Sequence, residues 1–324
     1  MRAVLSVLFH PLGVIFLLIA AGYLFRRTPA GAIRAEKWSR ALNRWVIQVA
    51  LPALVLLKIH SLPDLSLSRP EIYLPVLQPW IQFFVALLAV TLLWRLAGWS
   101  RGTWACLVVT VGIGNTSFVG IPLLRALLDE QFLSTAILQD QLGSFLVLSV
   151  AAVPFLQIVA ASSHGRKGAG WSVLLRPLRF PAFIALLLSI LFSSVAFPAW
   201  FESVLELLAG SLSPAALIAV GMMLRFSSLR RREIRNPLAV GVLLKLVVLP
   251  TLWIQIFPAW AERAGGIPAL VLQTLLLEGA MASQIAGSVV VADQGFEPEL
   301  SRLMVGMTIL LSLVSVPIWA IVIS

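Results

Sequence analysis

Three ionisable side chains lie deep inside apolar stretches of this chain: Asp140, Lys245 and Glu278. In hydrocarbon each costs about 3 kcal/mol or more even on a lenient insertion scale, so each needs a partner or a task. The tasks that fit are carrying an ion or a proton, or pairing with a charged substrate. The structural alternative is a Lys–carboxylate pair that satisfies itself, and for Lys245 such a pair is favoured over direct substrate contact. Asp140 is flanked by Gln139, Gln141 and Ser144, a polar and accessible face, and Glu278 opens a polar interruption. A carboxylate that meets water in one state and a dry site in another can take up and release a proton. Asp140, then Glu278, are therefore the expected coupling groups, with Lys245 as their counter-charge. Glu202 and Glu206 fall near a span end and read as solvated.

Other chemistry is poorly provided for. His10, His60 and His164 fall at span ends on different sides and make neither a metal site nor a Ser-His-Asp relay. Cys106 is the one cysteine, so no internal disulfide and no Cys/His cluster can form. No enzyme, no resident cofactor and no metal is expected.

The neutral polar residues are more telling. "GIGNTSFVGIPLL", Gly112 to Leu124, puts glycines, an Asn-Thr-Ser triplet and a proline inside an apolar run. "LLEGAMASQIAGSVVVADQG", Leu276 to Gly295, is interrupted too, by Glu278, Gly279, Ser283, Gln284 and Gly287. Irregular backbone at membrane depth survives only when buried in protein or lining a water-filled cavity. Paired interruptions at corresponding places of two halves point to a transporter's binding site. There, freed N–H groups can face an anion and unwound carbonyls a cation or a donor. The alternative is that small residues merely let helices pack closely. Asn115 and Pro122 are not packing residues, which argues for a site in the first stretch. In the second stretch the two readings balance. The candidate substrate-binding residues are Asn115, Thr116, Gly120, Pro122, Glu278, Ser283 and Gln284.

The elements that must position these residues are apolar spans. Of 324 residues, 60% are apolar and 12% charged, against about a quarter charged in a soluble domain. Ten spans cover 9–25, 42–59, 73–95, 104–127, 132–158, 180–198, 203–224, 237–257, 267–291 and 299–322. Each is near the roughly 20 residues that cross about 30 Å of hydrocarbon. Arg26 and Arg27 follow the first span and only Arg2 precedes it, the reverse of a signal peptide, so a retained first helix is expected.

Between alternate spans 18 Lys and Arg residues fall on one side and five on the other, with Lys245 inside a span. This bias places both termini outside the cytoplasm. It also assigns the net charge of +10 to the cytoplasmic leaflet and leaves no role for nucleic acid. Trp94, Trp99 and Trp104 flank one turn and read as interfacial anchors.

The long segment around 161–179 divides the spans five and five. An odd number per half forces the second half to insert upside down. Pro52 with Pro214, and Pro75 with Pro237, share an offset of 162 residues, a weak second sign of a repeat. Under this symmetry the fourth and ninth spans are partners.

"GNTSFVGIPLL" resembles the Asn-rich, Gly-x-Pro-Leu fourth helix of the auxin efflux carrier family. "ALPALVLLKI" at Ala50–Ile59 resembles its second helix. "LQDQLGSFLV" at Leu138–Val147 is similar to the fifth, and "LLKLVVLPTL" at Leu243–Leu252 to the eighth. The resemblance implies ten helices in two inverted five-helix repeats, with helices four and nine broken and crossing near the midplane. It implies export or exchange of small organic acid anions, auxin-like or dicarboxylate. The family's crossing residues correspond here to Asn115, Gly120 and Pro122. In the ninth helix the family usually has Pro after Met or a small residue, where this chain has Met281 and Ala282.

The expectation is an all-α polytopic membrane protein of the cell inner (plasma) membrane. Residues 1–160 form the first repeat, 161–179 a cytoplasmic linker and 180–324 the second repeat. The function expected is secondary transport of small organic anions by alternating access, with protons or sodium and the lipid bilayer as further partners and a homodimer left open. The alternatives are a sodium-coupled symporter similar to the bile acid family and a non-transporting membrane receptor.

Overall fold

The computed structural model describes residues 2–60, 69–128, 131–164, 180–192, 195–224, 232–263 and 266–323. Most of the expected linker, 165–179, and the basic stretch 225–231 lie outside them. Among the described residues the secondary structure is helical, with a single isolated β-bridge.

In chain order the helices are α1 (Arg2–Arg27), α2 (Pro29–Ile59), α3 (Pro70–Ala97) and α4 (Arg101–Gly112). Next come α5 (Ile121–Arg125), α6 (Phe132–Ala161), α7 (Pro181–Leu191) and α8 (Ala199–Met223). The last are α9 (Glu233–Ala259), α10 (Ala269–Gly279), α11 (Ile285–Asp293) and α12 (Pro298–Ile323).

Six of these, α2, α3, α6, α8, α9 and α12, are each long and apolar enough to cross a bilayer. They correspond to six of the ten expected spans. The first span is α1, the sixth is the short apolar α7, and the fourth and ninth are split into α4/α5 and α10/α11. The second is longer than expected. Its basic start, with Arg34, Lys37, Arg40 and Arg44, is helical from Pro29 onward and not a loop. Thr28 caps that start by accepting from the Gly31 N–H, and Pro29 occupies the first turn, where its missing N–H costs nothing. Large apolar side chains such as Leu17, Leu88 and Leu207 are exposed, a surface suited to lipid and not to water.

Four helical stretches widen into π-helical turns: Val46–Ala50, Thr116–Gly120, Val147–Ala152 and Leu244–Val248. Each ends two residues before a proline: Pro52, Pro122, Pro154 and Pro250. A proline cannot donate to the carbonyl four residues back, and its ring presses on that carbonyl. Widening the preceding turn relieves the clash. The fifth π turn, Gln139–Ser144, has no such proline and contains Asp140.

The chain forms two compact units. The first comprises Met1–Ser66, Ser117–Ile137 and Leu178–Leu224. Within it α1 and α8 touch through glycines: a Cβ on Gly22 would fall 2.2 Å from the Ile218 carbonyl oxygen, and one on Gly221 would fall 2.0 Å from that of Ile19. Arg26 Nη1 donates to the Met222 carbonyl at 2.7 Å, closing the same contact.

The second unit comprises Leu67–Thr116, Leu138–Pro177 and Arg225–Ser324. Its core surrounds α4, which is buried on every side from Ala105 to Gly112 and packs against Phe83, Leu148, Leu156, Leu300 and Met304. A helix apolar all round belongs at the centre of a bundle. Trp94 and Trp104 stack at 5.2 Å across the α3–α4 turn, where Gly98 takes the left-handed conformation. They are half-buried packing partners as well as span-end residues.

Candidate functional site

α4 stops at Gly112 and α10 at Gly279, each in the middle of an apolar span. Both segments then leave the helix, the second through a turn at Ala280, and they pair with each other. Asn115 N donates to the Ala282 carbonyl at 2.7 Å, and Gln284 N donates to the Ile113 carbonyl at 3.2 Å. These bonds form an antiparallel bridge between Gly114 and Ser283. Ser283 N donates to Thr308 Oγ1 on α12 at 3.0 Å. Away from water, freed backbone groups must be satisfied inside the protein, and here each interrupted segment satisfies the other. Close packing at small residues is part of this arrangement but not the whole of it, because both segments also leave the helix.

Three charged side chains gather at the bridge. A Cβ placed on Gly114 would lie 3.7 Å from Lys245 Nζ and 3.3 Å from the Glu278 carbonyl oxygen. Glu278 is within electrostatic reach of both Lys245 and Asp140. Lys245 is 0% exposed, Glu278 1% and Asp140 2%. Asp140 accepts from Thr116 Oγ1 through one oxygen and from Gln141 Nε2, at 2.6 Å, through the other.

The Lys–carboxylate pair favoured from sequence is not a contact between Lys245 and Glu278. Neither Lys245 Nζ nor either Glu278 carboxylate oxygen has a hydrogen-bond partner among the described residues. Lys245 lies in the π turn upstream of Pro250, Asp140 in the π turn of α6, and Glu278 next to the last residue of α10. Local departures from the α-helix thus carry Lys245 and Asp140, and a helix end carries Glu278.

A layer of amides backs the bridge. Gln139 Nε2 donates to Gln78 Oε1 and Gln78 Nε2 to Gln82 Oε1, both at 2.9 Å. Trp253 Nε1 donates to the same Gln82 oxygen at 2.9 Å, and Gln82 Nε2 donates to the Gly112 carbonyl at 3.4 Å, where α4 ends. Gly279 has to be small: a Cβ there would meet Gln78 Nε2 at 2.8 Å and Trp253 at 2.9 Å. Sequence reasoning missed Gln78, Gln82, Trp253 and Thr308. Gln78 and Gln82 carried a readable signal, because four residues apart they place two amides on one face of an apolar helix.

Of the expected site residues, Asn115, Thr116, Asp140, Lys245, Glu278, Ser283 and Gln284 all fall in the second unit. The first six are buried, and Gln284 is half-buried at the start of α11. Gly120 and Pro122 belong to the first unit, where Pro122 accounts for the π turn Thr116–Gly120.

Ala282, where the resemblance leads one to expect proline, lies outside any helix and uses its carbonyl in the bridge, while its N–H donates no hydrogen bond among the described residues. Ala282→Pro is therefore expected to fold, with a detergent melting temperature within a few degrees of wild type, because no donor is lost. Loss of monodisperse protein on size-exclusion chromatography would contradict this.

The chain matches the family described as membrane transport protein over residues 7–320. It is similar to an uncharacterized transporter of Methanothermobacter thermautotrophicus, 28% identical over 313 residues that cover 95% of this chain and 96% of that protein. It is also similar to an uncharacterized transporter of Methanocaldococcus jannaschii, 26% identical over 225 residues that cover 67% of this chain and 69% of that protein. The match takes in both interrupted helices and every residue at the bridge. It points to transport and away from enzymatic catalysis. Two interrupted apolar helices, paired through their backbones beside buried charges, thus stand in a chain that belongs to the membrane transport protein family, the auxin efflux carrier family its fourth helix resembles.

Proposed function

We propose that this protein is a secondary active transporter that moves small organic anions by alternating access around the Gly114–Ser283 bridge. The observation that carries the reading is the bridge itself, built from two broken helices with Lys245, Glu278 and Asp140 buried around it. The break at 280–284 also starts a new helix, α11, whose N-terminus suits a negative group. Protons are the proposed coupling ion, with Asp140 and Glu278 as carriers. The amides and hydroxyls of Asn115, Thr116, Ser283 and Gln284 are the proposed substrate contacts.

Ten helices in two inverted repeats are part of the same proposal. Each compact unit draws on both halves of the chain, the first on spans one, two, six and seven with the end of four and the start of five, the second on the rest of four and five with three and eight to ten. Equivalent spans five apart share a unit, which supports a five-helix repeat. The proposed setting is the inner (plasma) membrane with both termini outside. Single cysteines introduced at Ser228 and Ser66, both outside the described residues, are then expected to react from opposite faces, Ser228 from the cytoplasm. Labelling of both from outside intact cells would refute that topology.

A sodium-coupled symporter is the second reading. Ser283 Oγ, Gln284 Oε1 and both Glu278 oxygens are buried acceptors without hydrogen-bond partners among the described residues, as a cation would use. One assay separates the readings: counterflow of organic acids in proteoliposomes, with an imposed proton gradient or an imposed sodium gradient. Flux driven by protons alone supports the first reading and flux requiring sodium the second. Absence of flux for every organic acid would remove both.

A further inference from the structure

Lys245 is the odd member of the buried cluster. Asp140 has its oxygens engaged by Thr116 and Gln141. Lys245 is fully buried, and its ammonium has no hydrogen-bond partner and no contact ion pair among the described residues, although Glu278 is near. A buried cation with its donors unused is costly, and such groups persist where a ligand supplies the missing acceptors. The ammonium also lies next to the bridge, at the one position where the α4 extension has no side chain to cover it. A Cβ at Gly114 would sit 3.7 Å from Nζ, in van der Waals contact.

We propose that Lys245 anchors the carboxylate of the transported anion, and that Gly114 keeps the ammonium open to it. This rests on the organic-anion reading above and reverses the expectation that Lys245 only pairs with a protein carboxylate. Glu278 is near but out of contact, so the substrate carboxylate is the group that reaches the ammonium directly. Asp140 remains with Thr116 and Gln141.

The test uses the full chain purified in detergent and equilibrium binding of four probes: indole-3-acetate, succinate and their uncharged amides, indole-3-acetamide and succinamide. Wild type is expected to bind at least one carboxylate about 100-fold more tightly than its amide, the size of effect a desolvated charge-assisted contact supplies. In Lys245→Met the carboxylate should lose that advantage, the two forms binding within about threefold of each other. Lys245→Arg should restore part of the preference.

Lys245→Met replaces an unsatisfied buried charge with an apolar chain of similar length, so its melting temperature should hold or rise. Gly114→Ala keeps the charge and covers it, displacing the Glu278 carbonyl by only a few tenths of an ångström. It should weaken carboxylate binding about tenfold and leave amide binding unchanged.

A Lys245→Met protein that still prefers carboxylate over amide as strongly as wild type would overturn the anchor while leaving organic-anion transport intact. The same holds if Gly114→Ala binds carboxylate like wild type. A wild type that neither binds nor transports any carboxylate probe would overturn both the anchor and the anion reading.

Discussion

Asn115→Ala should leave the protein folded and cut organic-anion flux about tenfold or more, the loss typical when a buried polar contact to a substrate is removed. A bond that joins Asn115 to the opposite segment is made by its backbone N–H to the Ala282 carbonyl, so truncating the side chain keeps this part of the bridge. What disappears is a carboxamide, 1% exposed, able both to donate and to accept at the place where two helices are interrupted. The measurements are initial flux in proteoliposomes and melting temperature in detergent. Near-normal flux with a normal melting temperature would reduce the Asn-Thr-Ser stretch to a packing feature. A large fall in melting temperature would instead make Asn115 a structural support of the crossing.

Asp140→Asn is expected to flatten the pH dependence of transport while substrate binding survives. The substitution preserves shape. Thr116 Oγ1 can still donate to the remaining oxygen, and the amide introduced in place of the other needs an acceptor. Gln141 can supply one by turning over, because its Oε1 has no hydrogen-bond partner at present and its Nε2 is the group that now faces Asp140. The variant is therefore satisfied without being titratable.

If Asp140 takes up and releases the coupled proton, wild-type flux should respond to both pH and an imposed proton gradient between mildly acidic and mildly alkaline conditions. The variant should respond to neither, with binding affinity within about threefold of wild type, since the polar contacts are kept. A wild type indifferent to pH and gradient, matched by the variant, would make Asp140 a structural acceptor for Thr116 and Gln141. A variant that keeps the wild-type response would move the proton to Glu278.

The relation of Asp140 to its neighbours illustrates what could be read in advance. That a carboxylate stands in an apolar span, with amides on either side, is visible in residues 138–147 alone. That its oxygens are held by Thr116 and Gln141 is not, because Thr116 belongs to a different helix. The prolines behave likewise. Each of Pro52, Pro122, Pro154 and Pro250 acts on its own preceding turn, and all four have a π turn there. Gln78 and Gln82 were readable as a polar face but not as the cap of the Gly112 carbonyl.

From sequence alone came the apolar spans, the charge bias between them, the breakers in the fourth and ninth, the ionisable residues within spans and the family resemblance. All of these depend on residues close along the chain, through hydropathy, proline sterics and backbone propensity. The tertiary structure alone decided that Ile113–Asn115 would pair backbone to backbone with Ala282–Gln284, and that Lys245 would arrive beside Gly114 without closing onto Glu278. Those outcomes depend on where distant helices place their ends. A hydrogen bond or an ion pair changes with a shift of about an ångström, and no pattern along a single chain specifies position that finely.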